Sequence, residues 1–125
     1  MNRITLQQRT KQFNIDVIKL CENFPKNAAG FEIAKQLIRA AGSVGANYRA
    51  TTRAKSKADF IYKVEIVLEE ADESHYWLEI VRDSALKQGP EVDKLIKEAF
   101  ELTAIFAATD KTAKSNNKPE LSGRR

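Results

Sequence analysis

The 125-residue chain holds one cysteine, one histidine, three prolines and five glycines, and no apolar run exceeds a few residues. Each scarcity excludes something. Cys21 alone cannot close an intrachain disulfide, which fits a reducing compartment. A spanning helix needs about 20 apolar residues, and the opening Met1-Asn2-Arg3-Ile4-Thr5 lacks a signal-peptide core. The expected location is therefore the cytoplasm. Neither glycine nor proline occurs between Gly45 and Gly89, whereas strand-and-turn architectures need far more frequent breaks.

The same scarcity bears on chemistry. Asp72 and His75 have the acid-x-x-His spacing of di-iron bundles, with Glu69 and Glu73 nearby, but a complete centre needs two histidine-bearing motifs and the chain has one histidine. Cys21 has no histidine near it in sequence and reads as a small buried thiol, not a nucleophile. Gly42-Ser43-Val44-Gly45 lacks the Gly-Lys-Ser/Thr of a phosphate loop. No catalytic constellation, metal site or cofactor is expected.

What is present is helical periodicity. The chain breaks at Phe24-Pro25-Lys26-Asn27, around Thr51 to Ser56, and at Gln88-Gly89-Pro90, leaving four segments of helical length. Leu6, Thr10, Phe13, Val17, Leu20 and Phe24 recur at spacings of four and three, with Thr5 and Gln8 as a candidate capping box. The second segment has two adjoining stripes: Phe31, Ala34, Ile38, Ala41, Gly45 and Tyr48, and Ile33, Leu37, Ala40 and Val44. Its small-residue centre from Ala40 to Ala46 would let another backbone approach closely, offsetting the helix cost of the glycines. The third segment opens with Ser56 as N-cap and Asp59 in the first turn, and carries Phe60, Val64, Val67, Ala71, Ser74, Leu78, Val81 and Ala85 on one stripe. The fourth follows Pro90 with Val92, Leu95, Ile96, Ala99, Leu102, Thr103 and Phe106, and fades beyond Ala108.

Short connections favour antiparallel neighbours, so the expected fold is an all-α, up-down-up-down four-helix bundle over residues 1–114. Residues 115–125 have no periodicity and are expected to form a disordered basic tail. Apolar residues exceed what one bundle needs to bury. Tyr62, Ile66, Tyr76, Trp77 and Ile80 lie off the main stripe of the third segment; they are either scattered surface apolars or, as favoured with the wide arc of the second segment, a homo-oligomer interface.

Formal charge is only +4, yet it is segregated. Lys35 to Lys63 holds seven basic residues against one acid, Val64 to Asp83 seven acids against one base, and Lys111 onward five bases against one acid. Arg49, Arg53, Lys55 and Lys57 cluster at the junction of the second and third segments, a candidate phosphate-binding rim at one end of the bundle. The competing reading is a solvated basic end paired with acids.

The phrase Gln36-Leu37-Ile38-Arg39-Ala40-Ala41-Gly42-Ser43-Val44-Gly45-Ala46-Asn47, the run Arg53 to Phe60, and Glu69-Glu70-Ala71-Asp72-Glu73 with Trp77-Leu78 resemble the four-helix-bundle proteins encoded by intervening sequences of bacterial large-subunit rRNA genes. The resemblance runs from about Phe13 to Lys114. It implies a homo-oligomeric ring, with a pentamer as the expected assembly. A related branch, the accessory variability determinants of diversity-generating retroelements, adds nucleic acid and a reverse transcriptase as implied partners. Arg39, Asn47, Arg53, Ser56, Lys57 and Lys63 match the family phrase and are candidate RNA or DNA contacts; the alternative is pairing of their charges with Glu69, Glu70 and Glu73 between subunits. The expected function is a non-catalytic oligomeric scaffold that associates with nucleic acid through the basic rim, Arg39, Asn47, Arg49, Arg53, Lys55, Lys57 and Lys63. The alternative is a protein-interaction adaptor with no nucleic-acid contact.

Overall fold

The computed structural model describes residues 1–116. Four α-helices follow one another: α1 (Arg3–Cys21), α2 (Ala28–Ala50), α3 (Lys57–Asp83) and α4 (Pro90–Asn116), with a single 3-10 turn, Thr51–Arg53, between α2 and α3. Each helix packs on its neighbours in chain order and α4 closes back on α1, while the backbones of the diagonal pairs stay apart and meet only through core side chains such as Tyr48 and Phe106. This is an all-α four-helix bundle. The expected tail lies, from residue 117 on, outside the described residues, and α4 itself runs to Asn116.

The sequence stripes become the core. Leu6, Thr10, Phe13, Val17 and Leu20 are the buried residues of α1. Val64, Val67, Ala71, Ser74, Leu78 and Val81 are those of α3. The buried polar members bond backward within their own helices: Thr10 Oγ1 donates to the Gln7 carbonyl at 3.0 Å and Ser74 Oγ to that of Glu70 at 2.8 Å. In α2 the buried arc is Leu37, Ala40, Ala41, Val44 and Tyr48, a blend of the two expected stripes. Phe31 falls off that arc and is 62% exposed. In α4 the stripe continues past Ala108, because Asp110 and Ala113 prolong the spacing of Phe106 and are buried. Phe60, Ile96 and Thr103 are only half-buried.

The ends differ in detail from expectation. Asn2, not Thr5, caps α1: its Oδ1 accepts from the Thr5 N–H at 2.8 Å, so Thr5 already lies inside the helix. Ser56 caps α3 as expected, accepting from Asp59 N at 3.0 Å. That helix stops at Asp83, and Ala85 turns into the left-handed region at φ 60°, exposed and off the core stripe. Gly89, at φ 127°, then leads into Pro90. Gly30 is obligatory for another reason: a Cβ there would stand 1.9 Å from the Pro25 carbonyl oxygen.

Candidate nucleic-acid interface

Side-chain contacts fix how the helices run. Gly45 lies against Thr10 and Gly42 against Asn14, Arg39 reaches Glu70 and Glu73, and Lys114 reaches Glu65, so α1–α2, α2–α3 and α3–α4 are all antiparallel. The corner between α2 and α3 therefore shares one end of the bundle with the start of α1 and the end of α4.

The corner is built by its own hydroxyls. Thr51 Oγ1 donates to the Tyr48 carbonyl at 2.6 Å and Thr52 Oγ1 to that of Arg49 at 2.9 Å, adding side-chain donors to last-turn carbonyls of α2 towards which the Thr51 N–H also points. Ala54 is extended at ψ 136° and swings the chain into the Ser56 cap. The Asp59 carboxylate accepts from the Lys55 N–H at 2.9 Å and from Lys63 Nζ at 2.8 Å. These contacts, Lys63 first, hold its carboxyl below the usual carboxylate range.

The expected basic residues divide into three groups. Arg53, Lys55 and Lys57 project from the corner, exposed and without an ion pair among the described residues. Arg49, equally exposed and unpaired, lines a groove between α1 and α2 with Lys11. Arg39, Asn47 and Lys63 have partners inside the protomer: Arg39 donates to Glu73 and Glu70, Asn47 Nδ2 to Ser43 Oγ at 2.7 Å, and Lys63 to Asp59. Hydrogen bonding to Glu73 and then Glu70 raises the Arg39 pKa further. The pairing of Arg39 with these acids thus occurs within one chain.

Topology also brings residues that sequence reasoning did not single out. Arg3 lies beside Tyr48 at the same end, and Lys111 is exposed on the last turns of α4. Arg3 is far from the corner in sequence, and only the antiparallel order could have grouped the two. Asp110 could have been found: it sits four residues after Phe106 on an apolar stripe, a carboxylate where the period predicts burial.

Of the expected interface residues, Tyr62 and Tyr76 are 62% and 53% exposed. Ile66, Trp77 and Ile80 are half-buried, and Trp77 packs on the core while its Nε1 donates to Glu73 at 3.2 Å. The Cys21 thiol is half-buried, and burial pushes its pKa up to about 12. His75 stands beside Phe100, with Nδ1 3.6 Å from Glu79. Among the described residues, no group of three or more His, Cys, Asp or Glu is disposed to hold a metal ion, and no helix is long and apolar enough to cross a membrane.

Fold and surface together define a small four-helix bundle with basic residues displayed on its surface. The chain belongs to the 23S rRNA-intervening sequence protein family, whose model matches residues 2–108. Its fold is similar to that of a crystallised protein with unknown function from the S23 ribosomal protein family of Bacteroides thetaiotaomicron VPI-5482, at a TM-score of 0.80 and 27% identity, covering 89% of this chain and 99% of that one. No curated protein matches the chain.

Proposed function

We propose that this protein is a non-catalytic cytoplasmic scaffold that assembles into a homo-oligomeric ring, five copies being the number the family resemblance implies, and holds RNA or DNA by its basic end. The observation that carries this reading is the convergence of Arg53, Lys55 and Lys57 with Arg3 at one end, exposed and without ion pairs among the described residues. Unpaired cations release counterions from a phosphate backbone, whereas cations already bonded to carboxylates have less to offer it. Arg39, Asn47 and Lys63 accordingly serve to shape the corner and the α2–α3 seam. Repetition around a ring would turn a modest patch into a multivalent one.

The test is fluorescence anisotropy of a labelled RNA stem-loop and a DNA strand against salt. Replacing Arg53, Lys55 and Lys57 by glutamine is expected to weaken binding at least tenfold at low salt and to lower the salt slope by about 3. The same change at Lys19, Lys26 and Lys87, towards the opposite end, is expected to leave it unchanged. Equal effects from both sets, or no binding by the wild type, would favour the adaptor reading. What supports that reading is α3, which exposes Tyr62 and Tyr76, aromatic side chains of the kind enriched at protein interfaces. A reverse transcriptase is the partner the retroelement branch would imply.

A further inference from the structure

We infer that the groove between α1 and α2 of one copy receives the α3–α4 face of the next, with Tyr62 entering the groove and Arg49 entering an acidic pocket. This rests on the self-association reading above and names the surfaces that carry it.

Each surface holds a buried acceptor with nothing to accept. The α3–α4 pocket, about 490 Å³, contains Glu65, Glu69, Asp110 and Lys114, with Tyr62 and Ile66 at its rim. Asp110 is only 9% exposed; its Oδ2 takes Lys114 Nζ at 3.0 Å, and its Oδ1 has no partner. Lys114 is shared with Glu65 at 2.6 Å, so three carboxylates face one ammonium. A buried carboxylate oxygen without a donor is costly, and a cation delivered from outside removes the cost.

The α1–α2 groove, about 430 Å³, is the complement. Its floor is Gly42, Gly45 and Ala46, its rim carries the unpaired cations Lys11 and Arg49, and within it Asn14 Oδ1 is buried without a donor. Tyr62, 62% exposed, offers a flat ring and a phenolic O–H to the end of the groove lined by Gln7 and Gly45. Two of the three unpartnered buried acceptors among the described residues thus face a surface whose counterpart bears an exposed donor.

Height along the bundle agrees. Arg39 against Glu70 and Glu73 sets the α2–α3 register, and Thr10 against Gly45 sets that of α1–α2. Counting along the helices from these pairs places Tyr62 level with Tyr48 and Gln7, and Glu69 level with Ala41 and Asn14. Groove and pocket therefore meet directly when copies are related by rotation about an axis parallel to the helices. Because the two surfaces differ, the contact is head-to-tail, the kind that closes into rings.

Sedimentation velocity of the full chain, with helicity checked by circular dichroism, tests this. Arg49→Glu, Lys11→Glu and Glu69→Arg, all at exposed positions, should each shift the assembly midpoint at least tenfold towards monomer, and Lys11→Glu with Glu69→Arg in one chain should recover most of the loss, because these two stand nearly level. Gly42→Leu should block assembly with the protomer folded, since a Cβ there meets only Asn14 at 3.5 Å, an ordinary contact. Tyr62→Phe, which cannot disturb the core, should weaken assembly measurably. A wild type that stays monomeric overturns self-association itself. A wild type that assembles while these variants assemble equally well overturns this pairing of faces and leaves the ring standing.

Discussion

The two ends of the bundle are made of similar parts and come out electrostatically different, one mixed in sign and the other basic. Towards one end, the connectors 22–27 and 84–89 and the adjoining helix ends mix signs: Glu22 with Lys26, Lys87 with Glu91, and Arg82 bonded to Asp83 at 2.8 Å. At the other, the α2–α3 corner and the start of α1 gather Arg3, Arg53, Lys55 and Lys57. Neither the net charge of +4 nor any single helix reveals this. An even number of antiparallel helices returns the chain to the end it started from, so charge sorted along the sequence becomes charge sorted in space. The lesson is that the basic corner depends on the whole bundle to acquire its neighbours.

The sharpest way to break the comparison is to loosen the core beneath one end only. Phe106 is fully buried and its ring lies 5.3 Å from that of Tyr48, which in turn lies beside Arg3. Phe106→Ala should cost about 3–5 kcal/mol in urea unfolding at fixed chain concentration. Phe24, 6% exposed at the opposite end, should cost less when truncated, because the loop around it can collapse into the space. If Phe24→Ala proves the more damaging, the stability of the basic end does not rest on this aromatic pair.

How much of this was legible beforehand follows from what a helical period can encode. The α1 stripe from Leu6 to Leu20 is buried residue for residue, since its only neighbours are the two helices that close the core over it. Period fails where a local competition decides. Asn2 outcompetes Thr5 as a cap by standing one turn earlier, and α3 yields beyond Ser84, where the Ala85 N–H closes a tighter turn on the Arg82 carbonyl and Ala85 enters the left-handed region. Phe31 was misplaced because two apolar stripes share α2 and only the packed arc says which one turns inward. The candidate site was half visible: Arg53, Lys55 and Lys57 are neighbours in sequence, while Arg39 could be assigned to Glu70 and Glu73 of its own chain only once α2 and α3 were set side by side. The groove and the acidic pocket exist between helices, and a single helix shows only fragments of them: the small residues Gly42 to Ala46, and a carboxylate, Asp110, on an apolar stripe.

A smaller perturbation separates the corner's scaffold from its charges. Ser56 supplies the cap of α3, so Ser56→Ala should lower stability by about 1 kcal/mol in urea unfolding. The end joined by connectors 22–27 and 84–89 is untouched by that change, and nucleic-acid affinity should fall only so far as Lys55 and Lys57 lose their fixed positions. A fall as large as that from removing the three cations would mean that geometry, more than charge, makes the rim.

The smallest expected effect is also the most diagnostic, because it has a signature in pH. Asp59 is held below its ordinary value of 3.8, first by Lys63 and then by the Lys55 N–H. A carboxyl depressed in the folded state stabilises it at pH values above the unfolded pKa, and that contribution disappears as pH falls through the folded pKa. Asp59→Asn should therefore lower the Tm slightly at neutral pH, and the gap between variant and wild type should narrow as the solution is acidified below pH 3.8. High salt should narrow it at neutral pH as well, since the half-buried pair still reaches solvent and its attraction is partly screened. A gap that is constant from neutral to acid would show that Asp59 works through its shape in the first turn of α3, leaving Lys63 free to join the cations that the corner presents.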